Sequence, residues 1–125
     1  MDLTPSGVVL SGDAELLRWS VSRAESEVVV SLDGALDLAT VEPLSGILRE
    51  ILERRPATVA IDLARVSFMD STGIRCLVNA ARAAATDGCK LVVRRPTATV
   101  VRVLGICGVD ELLLDDTDRD PKARR

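Results

Sequence analysis

Residues 57–74 read Ala57–Thr58–Val59–Ala60–Ile61–Asp62–Leu63–Ala64–Arg65–Val66–Ser67–Phe68–Met69–Asp70–Ser71–Thr72–Gly73–Ile74. Ala57 to Leu63 is a short β-rich run with Val59 and Ile61, opened by Pro56 and closed by Ala64–Arg65. It predicts a well-buried strand. Val66 to Met69 is apolar and leads into Asp70–Ser71–Thr72–Gly73. From Ile74 to Ala85 the period changes. Ile74, Leu77, Val78 and Ala81 share one helical face, and Gly88 is a C-cap candidate. At about 100° per residue, Cys76, Asn79 and Ala83 are expected to point away from that face. The stretch therefore reads strand, turn, helix start. Asp70, Ser71 and Thr72 fall where the first N–H groups of a helix lack partners, and capping is their plainest role.

Working outward, the same alternation recurs. Leu17, Trp19 and Val21 fall on one side of Glu15–Ser22, which predicts a half-buried strand, and the Val-rich Glu27–Leu32 predicts a second. Arg23–Ser26 is short enough to join them as a hairpin. Thr40–Arg54 carries Val41, Leu44, Leu48, Ile51 and Leu52 at helical spacing, with Thr40 as N-cap, Pro43 in the first turn and Pro56 as the stop. Cys89–Val93 reads as a strand and Thr97–Cys107 as a helix with Val100, Val103, Leu104 and Cys107 on its apolar side. Glu111–Leu114 reads as a last short strand. Residues 1–13 are expected to form a loose arm, with a fragment of an edge strand around Val8–Leu10, and 115–125 a charged tail. The order β, β, α, β, α, β, α, β predicts an α/β fold: a mixed, mostly parallel sheet of about five strands, opened by a hairpin and packed by three to four helices.

Composition narrows the chemistry. The 125 residues suit one domain, here 14–114, and 47% hydrophobic against 28% charged residues reads as globular. Net charge is −3, so no broad footprint for nucleic acid is present, and Trp19 and Phe68 alone make no stacking platform. The basic pairs Arg54–Arg55, Arg94–Arg95 and Arg124–Arg125 are separated along the chain and read as solvated surface. The sequence contains no histidine, which excludes Ser-His-Asp and Cys-His catalysis and every His-containing metal site. Cys76, Cys89 and Cys107 form no CxxC pair and are odd in number, which disfavours a zinc site or a secreted disulfide framework. No cofactor or metal is expected. No apolar run approaches membrane-spanning length, so the expected location is the cytoplasm.

Three roles compete for Ser71. As a cap it has no function of its own. As a nucleophile it lacks a G-x-S-x-G elbow and a His base, and the chain's two lysines, Lys90 and Lys122, lie on a strand start and in the tail. As a phosphoacceptor it fits better. A hydroxyl at a helix N-terminus after a strand is exposed, and the dipole tolerates a phosphate there. Phosphorylation adds about two negative charges, which a docked partner would meet as bulk and repulsion.

Two segments resemble the STAS-domain anti-sigma factor antagonists. Leu32–Asp33–Gly34–Ala35–Leu36–Asp37–Leu38–Ala39–Thr40 is similar to that family's strand–Gly–x–hydrophobic–Asp–x–x–Thr element. Ile61–Asp62–Leu63 with Phe68–Met69–Asp70–Ser71–Thr72–Gly73–Ile74 is similar to its phosphoacceptor element. Arg102–Val103–Leu104 and Gly108–Val109–Asp110 resemble the last helix and its exit, so the likeness spans about residues 15–114. The resemblance implies the STAS fold and a regulator that is not an enzyme. It implies partner switching: the unphosphorylated chain binds an anti-sigma factor that is also a GHKL-type serine kinase, phosphorylation of Ser71 weakens the complex, and a PP2C-type phosphatase restores it. Gly34, Asp37, Thr40, Asp70, Ser71, Thr72 and Gly73 match the motif positions. Arg75 and Asn79, on the outward side of the helix, are expected to contact the partner. Cys76, one turn in and expected outward, is a candidate redox handle. Neither direct nucleic-acid nor membrane binding is expected, and the chain would be a monomer or weak dimer. The other readings are a STAS subunit of a stressosome-like or lipid-transport complex, and a redox-controlled antagonist.

Overall fold

The structure, a computed structural model, describes residues 6–10, 16–24 and 26–114. The strands are β1 (Ser6–Leu10), β2 (Leu16–Ala24), β3 (Glu27–Leu36), β4 (Thr58–Met69) and β5 (Lys90–Arg94). The helices are α1 (Val41–Glu53), α2 (Ser71–Thr86), α3 (Ala98–Ile106) and α4 (Asp110–Leu113). The strands form one sheet in chain order, β1-β2-β3-β4-β5. β1–β2 and β2–β3 are antiparallel, and β3–β4 and β4–β5 are parallel. The mixed α/β sheet opened by a hairpin is as the sequence predicts.

Burial follows the pairing. β2 and β3 bury one face, through Leu17, Val21, Val28, Val30 and Leu32. Trp19 pairs across the hairpin with Leu32 and lies half-buried against the core. β4 and β5 bury residues of both parities, Val59, Ala60 and Ile61 with Leu91, Val92 and Val93, so this half of the sheet is covered on both faces. α1 contributes Leu44, Leu48, Ile51 and Leu52, each fully buried aliphatic side chain adding roughly 1.5–3 kcal/mol. α1 packs beside α2, which lies on β5 and β4, and α3 packs on β4.

Four sequence expectations are corrected. Ser6–Leu10, expected as a loose arm with an edge-strand fragment around Val8–Leu10, pairs with β2 along its whole length, so the edge strand is present and begins two residues earlier. Glu111–Leu114 is no strand: Asp110–Leu113 make a helical turn, and Leu114 forms a single parallel bridge to Val93. Its three consecutive leucines suit either period. Cys107 caps the end of α3 and is exposed, because the helix stops at Ile106 before another turn can bring it inward. Cys76 is buried, 8% exposed. The outward face assigned to it takes the sheet as the only neighbour of α2, whereas α1 covers that flank. The tail, 115–125, lies outside the described residues.

Candidate functional site

The parallel pairing of β3 with β4 brings two chain reversals to one rim. Ala35 pairs with Phe68 and Leu36 with Met69, so the loop of residues 37–40 and the start of α2 emerge side by side. The Asp70 amide donates to the Leu36 carbonyl oxygen at 3.3 Å. Gly73 sits buried at this seam. A Cβ there would lie 2.8 Å from the Leu36 backbone oxygen and 2.9 Å from Leu36 Cγ. Glycine is what lets the first turn of α2 approach β3.

The start of α2 is capped by Asp70. Its Oδ1 accepts from the Thr72 amide at 2.9 Å and the Gly73 amide at 3.1 Å, while the Ile74 amide donates to the Asp70 carbonyl. Ser71, the first residue of the helix, is exposed. The sequence reading leaves the helix's free N–H groups to a phosphate, but Asp70 already occupies two of them. Arg75 and Asn79 are exposed on the same helix, and Thr72 is half-buried.

The neighbouring loop closes on itself. Asp37 Oδ1 accepts from the Ala39 amide at 3.0 Å and the Thr40 amide at 3.2 Å. Thr40 Oγ1 accepts from the Asp37 amide at 3.0 Å and donates to the Ala35 carbonyl at 3.0 Å. Thr40 is completely buried. Thr40, expected as a contact residue, is therefore a positioning residue that shapes the loop from beneath. Gly34 lies within β3 rather than in the loop, at φ +123°, where a register irregularity separates it from Ala35. The rim thus gathers Asp37, Asp70, Ser71, Thr72 and Gly73, with Arg75 and Asn79 further along α2.

Two apolar residues of the rim escape sequence reasoning. Leu38 is 75% exposed at the loop tip and Phe68 is 48% exposed at the end of β4. Strict alternation would put Phe68 inside with Val66. Gly34 pairs with Val66 but Ala35 with Phe68, so Ser67 is the extra residue of a bulge, and past it Phe68 turns out and Met69 in.

Cys76 lies beneath the surface, under a groove between α1 and α2 that Asn79 also lines. Its Sγ is 3.2 Å from Ser45 Oγ. Burial pushes its thiol pKa up, and the Ser45 hydrogen bond offsets this only in part. That is the reverse of an activated thiolate. The groove holds about 380 Å³ and is lined by Ser45, Arg49, Glu53, Cys76 and Asn79, among others. Among the described residues no cluster of His, Cys, Asp and Glu could hold a metal, and no helix is long and apolar enough to cross a membrane.

The family model described as Mlab, STAS domain matches residues 19–115. The anti-sigma-B factor antagonist of Staphylococcus epidermidis is 30% identical over 84 residues, which is 67% of this chain and 78% of that protein. The anti-sigma factor antagonist SpoIIAA in its unphosphorylated form superposes with a TM-score of 0.69 at 23% identity, covering 85% of this chain and 94% of that one. An anti-sigma factor antagonist from Mycobacterium paratuberculosis gives 0.68 at 23% identity, covering 84% and 87%.

Proposed function

The chain belongs to the STAS-domain family of anti-sigma factor antagonists, and from that premise we propose that it docks an anti-sigma factor through the rim around Ser71. One observation carries the reading: Ser71 is exposed at the first turn of α2 while every neighbour that positions it is fixed. Residues 14–114 form the working unit, with β1 added at its edge. The partner meets Leu38, Phe68, Arg75 and Asn79 around the Ser71 hydroxyl, and Thr40 and Gly73 hold that surface in shape. The chain is a substrate and a regulator, not an enzyme, and it acts in the cytoplasm.

Control is by phosphate. Ser71 Oγ attacks the γ-phosphorus of an ATP held by a GHKL-type kinase partner. The new O–P bond forms as the bond from the γ-phosphorus to the β–γ bridging oxygen breaks, ADP leaves with that oxygen, and the hydroxyl proton passes to a base of the kinase. A PP2C-type phosphatase hydrolyses the ester and returns the hydroxyl. Because Asp70 fills the Thr72 and Gly73 amides, the phosphate is not drawn into the helix end but stands on the docking surface. The dianion then opposes binding by repulsion and by desolvation next to Phe68 and Leu38.

A second reading rests on the description of the matching family model as Mlab, STAS domain. In it the chain is a STAS subunit of another assembly, stressosome-like or lipid-transporting. Paired captures from a lysate of the source organism, with Ser71→Ala and Ser71→Glu as baits, separate the two. The antagonist reading expects a GHKL-type kinase with the Ala bait and its loss with Glu. A membrane or scaffold complex on both baits, without a kinase, would favour the second.

A further inference from the structure

At the pole opposite Ser71, a cavity of about 240 Å³ is lined by Arg23, Ser26, Val28, Arg54, Arg55, Pro56 and Ala57. It lies where β2 hands over to β3 and where α1 hands over to β4. The Ala57 amide donates to the Ser26 carbonyl at 2.9 Å and ties the two crossings together. Three guanidinium-bearing residues line it, and among the described residues no carboxylate does. None of the three forms an ion pair among the described residues. Glu50 lies one turn before Arg54 on α1 and makes no such pair either.

The backbone adds a second, independent observation. Among the described residues two non-glycine residues have positive φ, Arg55 and Arg95, both at 51°. This left-handed region favours glycine, and glycine is the residue most used just past a helix end. For Arg95 the reason for a side chain is visible: its guanidinium pairs with Asp62, with Nε 3.1 Å from Oδ2. Arg55 sits in the same backbone state with no carboxylate partner among the described residues. Arg54 also complements the carbonyl end of α1, a role that asks nothing of Arg23 or of a side chain at position 55.

We propose that Arg23, Arg54 and Arg55 form an anion site that takes a phosphate group, about 35 Å along β4 from Ser71 at the strand rise of ~3.3 Å per residue. Guanidinium forks bind phosphate oxygens in pairs. The Ser26 hydroxyl, which no described group engages, supplies a further donor. The phosphate is carried either by a free small compound or by a lipid headgroup.

The test uses the full ¹⁵N-labelled chain, titrated with inorganic phosphate at constant ionic strength against chloride. Saturable amide shifts confined to residues 23, 26, 54, 55 and 57 are expected. R55G suits the positive-φ backbone state and removes the side chain with its guanidinium, so the fold is expected to persist while the phosphate affinity falls at least tenfold. R23A is expected to do the same from the other crossing. Sedimentation with phosphatidylglycerol vesicles, lost in R55G and competed by free phosphate, identifies a lipid headgroup as the source. Saturable phosphate binding without sedimentation identifies a free compound. Shifts that do not saturate, or that persist in R55G, overturn the site.

Discussion

Gly73 stands closer to its neighbours than any side chain allows. Gly73→Ala would push its methyl against the Leu36 carbonyl, which is backbone and cannot swing aside. A loss of about 1–3 kcal/mol is expected in urea unfolding, with weakened partner capture because β3 and α2 must part. Thr40 offers a cleaner separation of shape from contact. Thr40→Val keeps the volume but leaves the Asp37 amide and the Ala35 carbonyl without their shared hydroxyl. It is expected to cost about 1–3 kcal/mol and to weaken binding although the residue touches no partner. Thr40→Ser, which restores the hydroxyl, should recover most of both. A Thr40→Val protein with wild-type stability and affinity would refute the positioning role.

At the scale of elements, the thiols give the sharpest contrast. Cys107 at the end of α3 is exposed, while Cys76 under α1 and Cys89 at the foot of β5 are buried. Alkylation at neutral pH is expected to modify Cys107 first and the other two only as the helices open. Desolvation raises both buried thiols above the ordinary cysteine value of 9.0, and at Cys89 the charge of Asp87 adds to it. Below that value neither changes the stability. As the pH rises past it, the unfolded chain loses protons that the folded chain keeps, so stability falls. Urea midpoints measured on either side of that value should show the decline, and it should shrink in Cys76→Ala compared with its own neutral value. These thiols also show what the sequence could and could not disclose. The start of β4, the stripe of α1 and the hairpin are legible because a local pattern governs each, but β4 runs on unbroken to Met69 through the Ala64–Arg65 pair that reads as its close. The placement of Cys76 depends on which helix lies alongside α2, and that of Phe68 on a bulge, and neither is written in a local pattern. Asp37, Asp70, Ser71 and Gly73 are brought to one rim, as their resemblance to the family's two motifs implies, whereas capping and turn chemistry alone predicts their local conformation and assigns no function. Leu38 and Phe68 are not legible as part of that rim, because exposure of an apolar side chain depends on the fold around it.

At the scale of the whole molecule, β4 joins two poles of unlike character. Its end presents Ser71 beside Asp70, and its beginning lies beside three arginines. Sites this far apart, with no shared partner, should behave additively. The stability change of the double variant Ser71→Glu with Arg55→Gly is therefore expected to equal the sum of the single changes within about 0.5 kcal/mol in thermal or urea unfolding. A larger discrepancy would mean that the sheet transmits strain from end to end. The antiparallel half of that sheet has a consequence of a different kind. Trp19, paired with Leu32 in the hairpin, is the chain's one tryptophan, and there is no tyrosine. Ultraviolet emission from this protein thus comes from one ring on β2. It stays dark to chemistry at Ser71 and brightens or reddens only when the hairpin leaves the core, so fluorescence set against a helix-sensitive signal reveals whether the two halves of the sheet melt as one.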